Sequence, residues 1–360
     1  MKRLKPVLIL SLLALFLFAY LYAASIQCEW TRIEKIVAVG DVHGDYDSFV
    51  KILRGTGLID KKGHWTGGKT HLVQIGDVMD RGDNAKDILD LIMTLEKEAE
   101  KAGGKVHMLL GNHEEMNIIG VAFDFPGYVT LRQFKSFLSD KDIMKQEKIF
   151  RKKMRKNHTR EADSDSSIDN NLDNYWKDFH REVTRKDTHL ARRQYTKSFN
   201  EKYGRWLVKQ NAVIKINDTL FVHGGISQRF SKAWKLKEIN NRLRVELSDL
   251  RRAAITSGKA NIDERNRLIL YHPEGPLWFR GLAQNRGKDY EKIVDKILLK
   301  LKAQHMVIGH TPQRIKKDMK RFGGKIWIID TGISEAFRPQ GGYLSALIIE
   351  NGKFSRKYDF

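Results

Sequence analysis

Ile36-Val37-Ala38-Val39-Gly40-Asp41-Val42-His43-Gly44-Asp45 reads as a short, fully buried strand that stops at a glycine and passes the chain to two metal-competent side chains. The pattern repeats twice downstream. Leu72 to Ile75 is the next apolar run and leads into Gly76-Asp77-Val78-Met79-Asp80-Arg81-Gly82; Val106 to Leu110 is the third and leads into Gly111-Asn112-His113-Glu114. Between these runs, Asp47 to Leu53 reads as a helix start. Ala85, Ile88, Leu89, Ile92, Leu95 and Ala99 recur at helical spacing until Gly103-Gly104 stops them. A β-α-β-α-β order with continuous apolar strands predicts an α/β fold in which helices cover the strands, and such sheets bind ligands at the carboxyl ends of their strands.

Further strands are expected at Ala212 to Ile216 and Thr219 to Val222, joined by an Asn217-Asp218 hairpin turn, and at His305 to Ile308, Lys325 to Ile329 and Tyr343 to Ile349. Two of them end in the same way, at His223 of Val-His-Gly-Gly and at His310 of Gly-His-Thr-Pro. Carboxylate oxygen combined with imidazole nitrogen suits borderline divalent ions such as manganese, iron or zinc rather than an all-oxygen calcium site. His43, His223, His310, Asp41, Asp77 and Asn112 are enough donors for two ions, with Asp77 able to bridge them. A metal pair with an arginine such as Arg81 beside it matches a phosphate dianion and an in-line displacement at phosphorus.

Taken in order, these motifs resemble those of the calcineurin-like metallophosphoesterases, specifically the phosphoprotein phosphatase branch. Met116-Asn117, Gly204-Arg205-Trp206-Leu207 and Gly275-Pro276-Leu277-Trp278-Phe279-Arg280-Gly281 are similar to segments of the Shewanella-like protein phosphatases. The resemblance implies a β-sandwich flanked by helices (αββα) with a helical insertion. It implies that Asp41, His43 and Asp77 hold one divalent ion, and that Asp77, Asn112, His223 and His310 hold the second, manganese foremost with iron or zinc as alternatives. A metal-bridging hydroxide would attack phosphorus directly. His113 would be the general acid, oriented by Asp80, and Arg81, Arg280 and Asn112 would contact the phosphoryl group. Asp45 stands where eukaryotic Ser/Thr phosphatases carry Gln, and their C-terminal Ser-Ala-Pro-Asn-Tyr element is missing, with Ile329-Asp330-Thr331-Gly332 near that point. Tyrosine and serine/threonine phosphoesters both stay open as substrates. Two other readings compete: hydrolysis of nucleotides or dinucleoside polyphosphates, and a non-catalytic phosphate-binding scaffold.

The rest of the chain bears on placement and partners. Lys2, Arg3 and Lys5 precede an apolar run from Val7 to Ala24, close to the roughly 20 residues that cross a bilayer, so residues 1–28 are expected to be a signal peptide or an N-terminal membrane anchor. The body, residues 34–350, would then be exported, either periplasmic or otherwise extracytoplasmic, and tied to the membrane if the segment is uncleaved. The chain of 360 residues is 41% hydrophobic with one cysteine, which excludes a disordered or disulfide-built protein. Its net charge of +21 suggests anionic partners. That excess is dispersed, however. Residues 145–200 carry 15 Lys or Arg against 9 Asp or Glu, and fall within a charged, largely helical insertion expected at about 126–205. Asp163, Asp165 and Asp169 have calcium-loop spacing, but Ile168 and Asn174 occupy the positions that need Gly and Glu. No basic motif interleaved with aromatics points to a specific nucleic acid. The expected partner is a phosphorylated protein or a small phosphomonoester.

Overall fold

The computed structural model describes residues 26–157, 172–177, 180, 189–262, 269–313, 319–358 and 360. The N-terminal apolar run up to residue 25 lies outside them, as do Asp163, Asp165, Ile168 and Asp169. Among the described residues no helix is long and apolar enough to cross a membrane.

Two sheets form the centre. The first has the strand order β11 (Lys353–Lys357), β10 (Ala346–Glu350), β2 (Lys35–Val39), β3 (His71–Gln74), β4 (Lys105–Met108). The second runs β1 (Glu29–Trp30), β5 (Val213–Ile216), β6 (Thr219–Val222), β7 (His305–Ile308), β9 (Ile326–Ile328), β8 (Lys320–Arg321). The expected hairpin turn is present: Ile216 pairs with Thr219, and Asn217 takes the left-handed conformation that so tight a turn needs.

Side-chain alternation explains why the sheets stack. Ile36, Ala38, Val73, Leu347 and Ile349 of the first sheet meet Ile214, Ile216, Phe221, Val307 and Trp327 of the second in one dry cluster. The intervening residues, Val37, Val39, Leu72 and Val106 on one side and Leu220, Val222, Met306 and Ile308 on the other, point outward and share a second core with the helices. Strands buried on both faces must read as continuous apolar runs, as these do. The covering helices include α1 (Tyr46–Gly55), α2 (Ala85–Lys101) and, on the far side of the chain, α7 (Leu236–Ser257) and α8 (Lys288–Leu301). The result is the expected layered α/β architecture of two sheets between helices.

Between α2 and β5 the chain forms α3 (Asn112–Ile118), α4 (Leu131–Phe137), α5 (Asp140–Asn157) and α6 (His189–Phe199), the last continuing through a π-helical turn at Asn200–Gly204. Strand direction then positions the site. β2, β3 and β4 are mutually parallel, and so are β6, β7 and β9. Their carboxyl ends all open on one edge of the sandwich. The loops that follow β2, β3, β4, β6 and β7 are those that carry Asp41 and His43, Asp77 to Arg81, Asn112 and His113, His223, and His310.

Candidate metal centre and catalytic site

The loops leaving the strands are short and bent. Of the ten non-glycine residues with positive φ among the described residues, five belong to the site: His43 (40°), Asp77 (53°), Asp80 (71°), Arg81 (69°) and His310 (64°). A side chain in that region costs about 1–3 kcal/mol each, and such strain persists only where the surroundings over-determine it. Here Glu114 supplies much of that constraint. Its carboxylate, fully buried, accepts the backbone N–H groups of Asp77 (2.8 Å), Val78 (2.8 Å), Met79 (3.1 Å) and Gly111 (2.9 Å). It thereby binds the β3 loop to the start of α3. Gly111 has to be glycine, since a Cβ there would lie 2.5 Å from the Asp77 nitrogen and 2.8 Å from Glu114 Oε2. Asp45 does a different job. It caps α1 through the Ser48 N–H (2.9 Å) and holds the Glu335 N–H (2.9 Å), joining the β2 loop to the segment after β9.

Asp77 stands at the centre. Its Oδ2 lies 3.7 Å from His43 Nε2 and 3.9 Å from His113 Nε2, and its Oδ1 lies 3.3 Å from His223 Nε2. Two buried groups with convergent donor atoms share it: His43, Asp77 and His113, and Asp77, His223 and His310. Asn112 joins the second through Oδ1, 3.0 Å from His223 Nε2, and His310 Nδ1 is 3.2 Å from the same nitrogen. Asp41 sits beside these groups rather than within them. Its carboxylate accepts the His310 N–H at 3.0 Å and neighbours Asp330, and burial followed by the charges of Asp330 and Asp77 pushes it well above the usual carboxylate range. Asp330 itself, a carboxylate that the motif reading left unassigned, is raised to about 6, chiefly by burial.

The donor set fits divalent ions. His43 Nδ1–H donates to the Met79 carbonyl (2.9 Å) and His223 Nδ1–H to the Ile75 carbonyl (3.1 Å), which leaves each Nε2 as a lone pair facing Asp77. At His223 that lone pair also faces the Asn112 carbonyl oxygen, and His310 Nε2 is buried with no partner. Asp41, His43, Asp77, Asn112, His223 and His310 are all at most 4% exposed, so bulk solvent does not reach them. Acceptors packed against acceptors in a dry site repel unless a cation lies among them, and mixed carboxylate, amide and imidazole donors suit a transition metal.

The proton-transfer pair lies at the rim of the first group. His113 Nδ1 is 2.7 Å from Asp80 Oδ2. Burial works against the charged imidazole, but the Asp77 carboxylate and the Asp80 hydrogen bond outweigh it, and the His113 pKa is raised. His43 goes the other way, to about 3, because of burial and then the nearby His113.

Arg81 reaches this rim between two rings, 4.6 Å from the centroid of Tyr128 and 5.1 Å from that of Phe337. Tyr128 also stands 4.7 Å from the His113 ring, and Phe337 is 5.6 Å from the His43 ring. Arg280 is engaged with the backbone: Nη1 donates to the His310 carbonyl (2.5 Å) and to Thr311 Oγ1 (3.2 Å). Tyr128 and Phe337 carry no motif of their own and were invisible to a reading that followed strand ends.

Comparison with known proteins gives the family. The family model for calcineurin-like phosphoesterases matches residues 34–314. "Shewanella-like protein phosphatase 1" of Plasmodium berghei is 27% identical over 304 residues, which covers 83% of this chain and 67% of that protein. "Shewanella-like protein phosphatase 2" of Arabidopsis thaliana is 36% identical over 112 residues, 31% of this chain and 28% of that protein. Among solved structures, the cold-active protein-tyrosine phosphatase of a psychrophilic Shewanella species superimposes with a TM-score of 0.64 at 27% identity, covering 92% of this chain and 80% of the other. With parallel strand ends that deliver Asp, His and Asn to one dry centre, and a family match over most of its length, this chain belongs to the calcineurin-like phosphoesterase family.

Proposed function

We propose that this metallophosphoesterase hydrolyses phosphomonoesters on proteins, phosphotyrosine among them, using two divalent ions, manganese foremost with iron or zinc as alternatives. One observation carries the reading: Asp77 is shared by two buried donor groups with the His113–Asp80 pair alongside. Asp41, His43 and Asp77 are assigned to the first ion, and Asp77, Asn112, His223 and His310 to the second. Bound ions supply Lewis acidity at phosphorus and a nucleophile at neutral pH. The chain does the rest. Arg81 and Asn112 orient the phosphoryl oxygens, with Arg280 contributing if it releases the His310 carbonyl. His113 donates a proton from Nε2 to the departing oxygen while Asp80 holds the proton on Nδ1. The relatives named as protein phosphatases, and the tyrosine phosphatase among the similar structures, support a phosphoprotein substrate. The rings of Tyr128 and Phe337 around Arg81 favour an aromatic phosphoester.

The same reading places the catalytic domain at 34–350 with the insertion at about 126–205. It also takes residues 1–28 as an export signal or anchor, on the strength of Lys2, Arg3 and Lys5 ahead of the apolar run.

The purified chain loaded with Mn is expected to release phosphate from phosphotyrosine and phosphothreonine peptides faster than it cleaves diadenosine tetraphosphate. Preference for the dinucleotide would move the function to polyphosphate hydrolysis, and no release from any substrate would leave only a binding role.

The charges around His113 make turnover depend on pH. The protonated imidazole is the working acid, so activity should be present below its pKa and disappear above it. Asp77 and Asp80 raise that pKa. Asp80→Asn is therefore expected to move the alkaline limb of kcat/KM to lower pH as well as to lower the maximum. A limb that stays put would assign the acid to another group.

A further inference from the structure

The His113–Asp80 pair is backed by three buried polar side chains, Asn117, Gln133 and Tyr195. Asp80 is fully buried and its carboxylate accepts three side-chain contacts besides His113. Asn117 Nδ2 donates to both oxygens (2.9 and 3.0 Å), and Gln133 Nε2 donates to Oδ1 (2.8 Å). Gln133 grips Asp80 a second time, since its Oε1 accepts the Asp80 N–H at 2.9 Å. This two-point clamp lies where Asp80 holds its positive φ. Asn117 Nδ2 also donates to the His113 carbonyl (2.9 Å), so a single amide touches both members of the pair.

Behind Asn117 stands Tyr195. Its hydroxyl donates to Asn117 Oδ1 at 2.7 Å and accepts from Gln133 Nε2 at 3.2 Å. A donor on Oδ1 fixes which way the Asn117 amide faces. With Tyr195 there, Nδ2 must point at Asp80; flipped, the amide would present oxygen to a carboxylate. Asn117, Gln133 and Tyr195 are all fully buried, and a buried polar network with its partners in place holds one geometry. Tyr195 is itself held by stacking on Phe134 (5.7 Å) and Phe199 (6.0 Å) and by edge contact with Phe123 (5.0 Å).

Gln133 lies on α4 and Tyr195 on α6, both within the inserted stretch, not on the strand-end loops. We infer that Gln133 and Tyr195 are positioning residues for proton transfer: they hold Asp80 and Asn117, and through them His113, so that the inserted helices form part of the catalytic apparatus. The inference rests on the proposed function, in which His113 protonates the leaving oxygen.

Its signature is dependence on the leaving group. Protonation matters most when the departing oxygen is strongly basic, so a misplaced acid slows poor leaving groups selectively. A weakened scaffold would slow all substrates alike. The experiment compares phenyl phosphate with p-nitrophenyl phosphate, whose leaving group needs little help, on the Mn-loaded full chain. Wild-type, Tyr195→Phe and Gln133→Met proteins are tested, with Tyr203→Phe as the control. Tyr203 lies in the same inserted region but bonds Asp90 (2.9 Å), away from the pair.

In Tyr195→Phe, kcat for phenyl phosphate is expected to fall at least about tenfold, while p-nitrophenyl phosphate changes less than about twofold. KM and bound metal per chain should stay at wild-type values. Gln133→Met should show the same split, and it decides the matter if Tyr195→Phe proves unfolded by thermal melting. Equal losses on both substrates, no loss on either, or a similar split in Tyr203→Phe would overturn the inference. A wild-type protein inert toward both substrates would instead overturn the functional reading on which it rests.

Discussion

Asp77→Asn is expected to remove metal and activity together. Asparagine keeps the shape of the side chain but loses its charge and replaces one carboxylate oxygen with an amide nitrogen, and both oxygens are engaged: Oδ2 toward His43 and His113, Oδ1 toward His223. A substitution at the shared residue touches both ion positions at once. Losing a residue that merely supports a ligand costs about 10- to 100-fold in metal affinity, and loss of the shared ligand should exceed that. The damage extends past the ions, because Asp77 Oδ1 also accepts the His113 N–H at 3.1 Å and its charge helps raise the His113 pKa. Metal analysis of the purified variant and steady-state turnover are the two measurements. A variant with its full metal complement and wild-type kcat would refute the assignment of Asp77 as the bridge.

His113→Ala should give the complementary pattern. The site should keep its metal, because Asp41, His43, Asp77, Asn112, His223 and His310 all remain. Turnover should nevertheless fall by about 10²–10⁴, the usual contribution of a positioned acid. The loss should be steepest for phenyl phosphate and mildest for p-nitrophenyl phosphate. Because His43, Asp77 and His113 also form one of the two convergent groups, the experiment separates two roles for this imidazole. Loss of one ion per chain in His113→Ala would make it a ligand, whereas full metal content with lost turnover would make it the acid.

The strand ends were legible because their signal is local. An apolar run that stops at glycine and is followed at once by Asp, His or Asn occupies a few adjacent residues, and each such run became a strand within a residue or two of its expected limits. Edge elements were not legible. Glu29–Trp30, Lys320–Arg321 and Lys353–Lys357 have mixed or exposed patterns and exist as strands because a neighbour offers them a ladder. The same limit hid Gln133 and Tyr195. In sequence they are one amide and one phenol in a charged stretch. The nearest available hint was the Tyr195, Phe199, Tyr203 spacing, which marks a helix with one packed aromatic face but not what its hydroxyl touches.

Residue types and their order pointed to the chemistry: Asp, His and Asn at the ends of apolar strands suit metal ions, wherever the strands end up. Tertiary structure decided which atoms meet. Parallel strands in two stacked sheets bring their carboxyl ends to one edge, and only there do residues as distant as Asp77 and His310 share one centre. Packing then left Asp41 beside Asp330, tied Arg280 to the His310 carbonyl, and brought α4 against Asp80 and α6 behind Asn117. Metal preference comes from the donors' own electronic character, which travels with each residue. Orientation, burial and proton affinity depend on neighbours, and those are set by the fold.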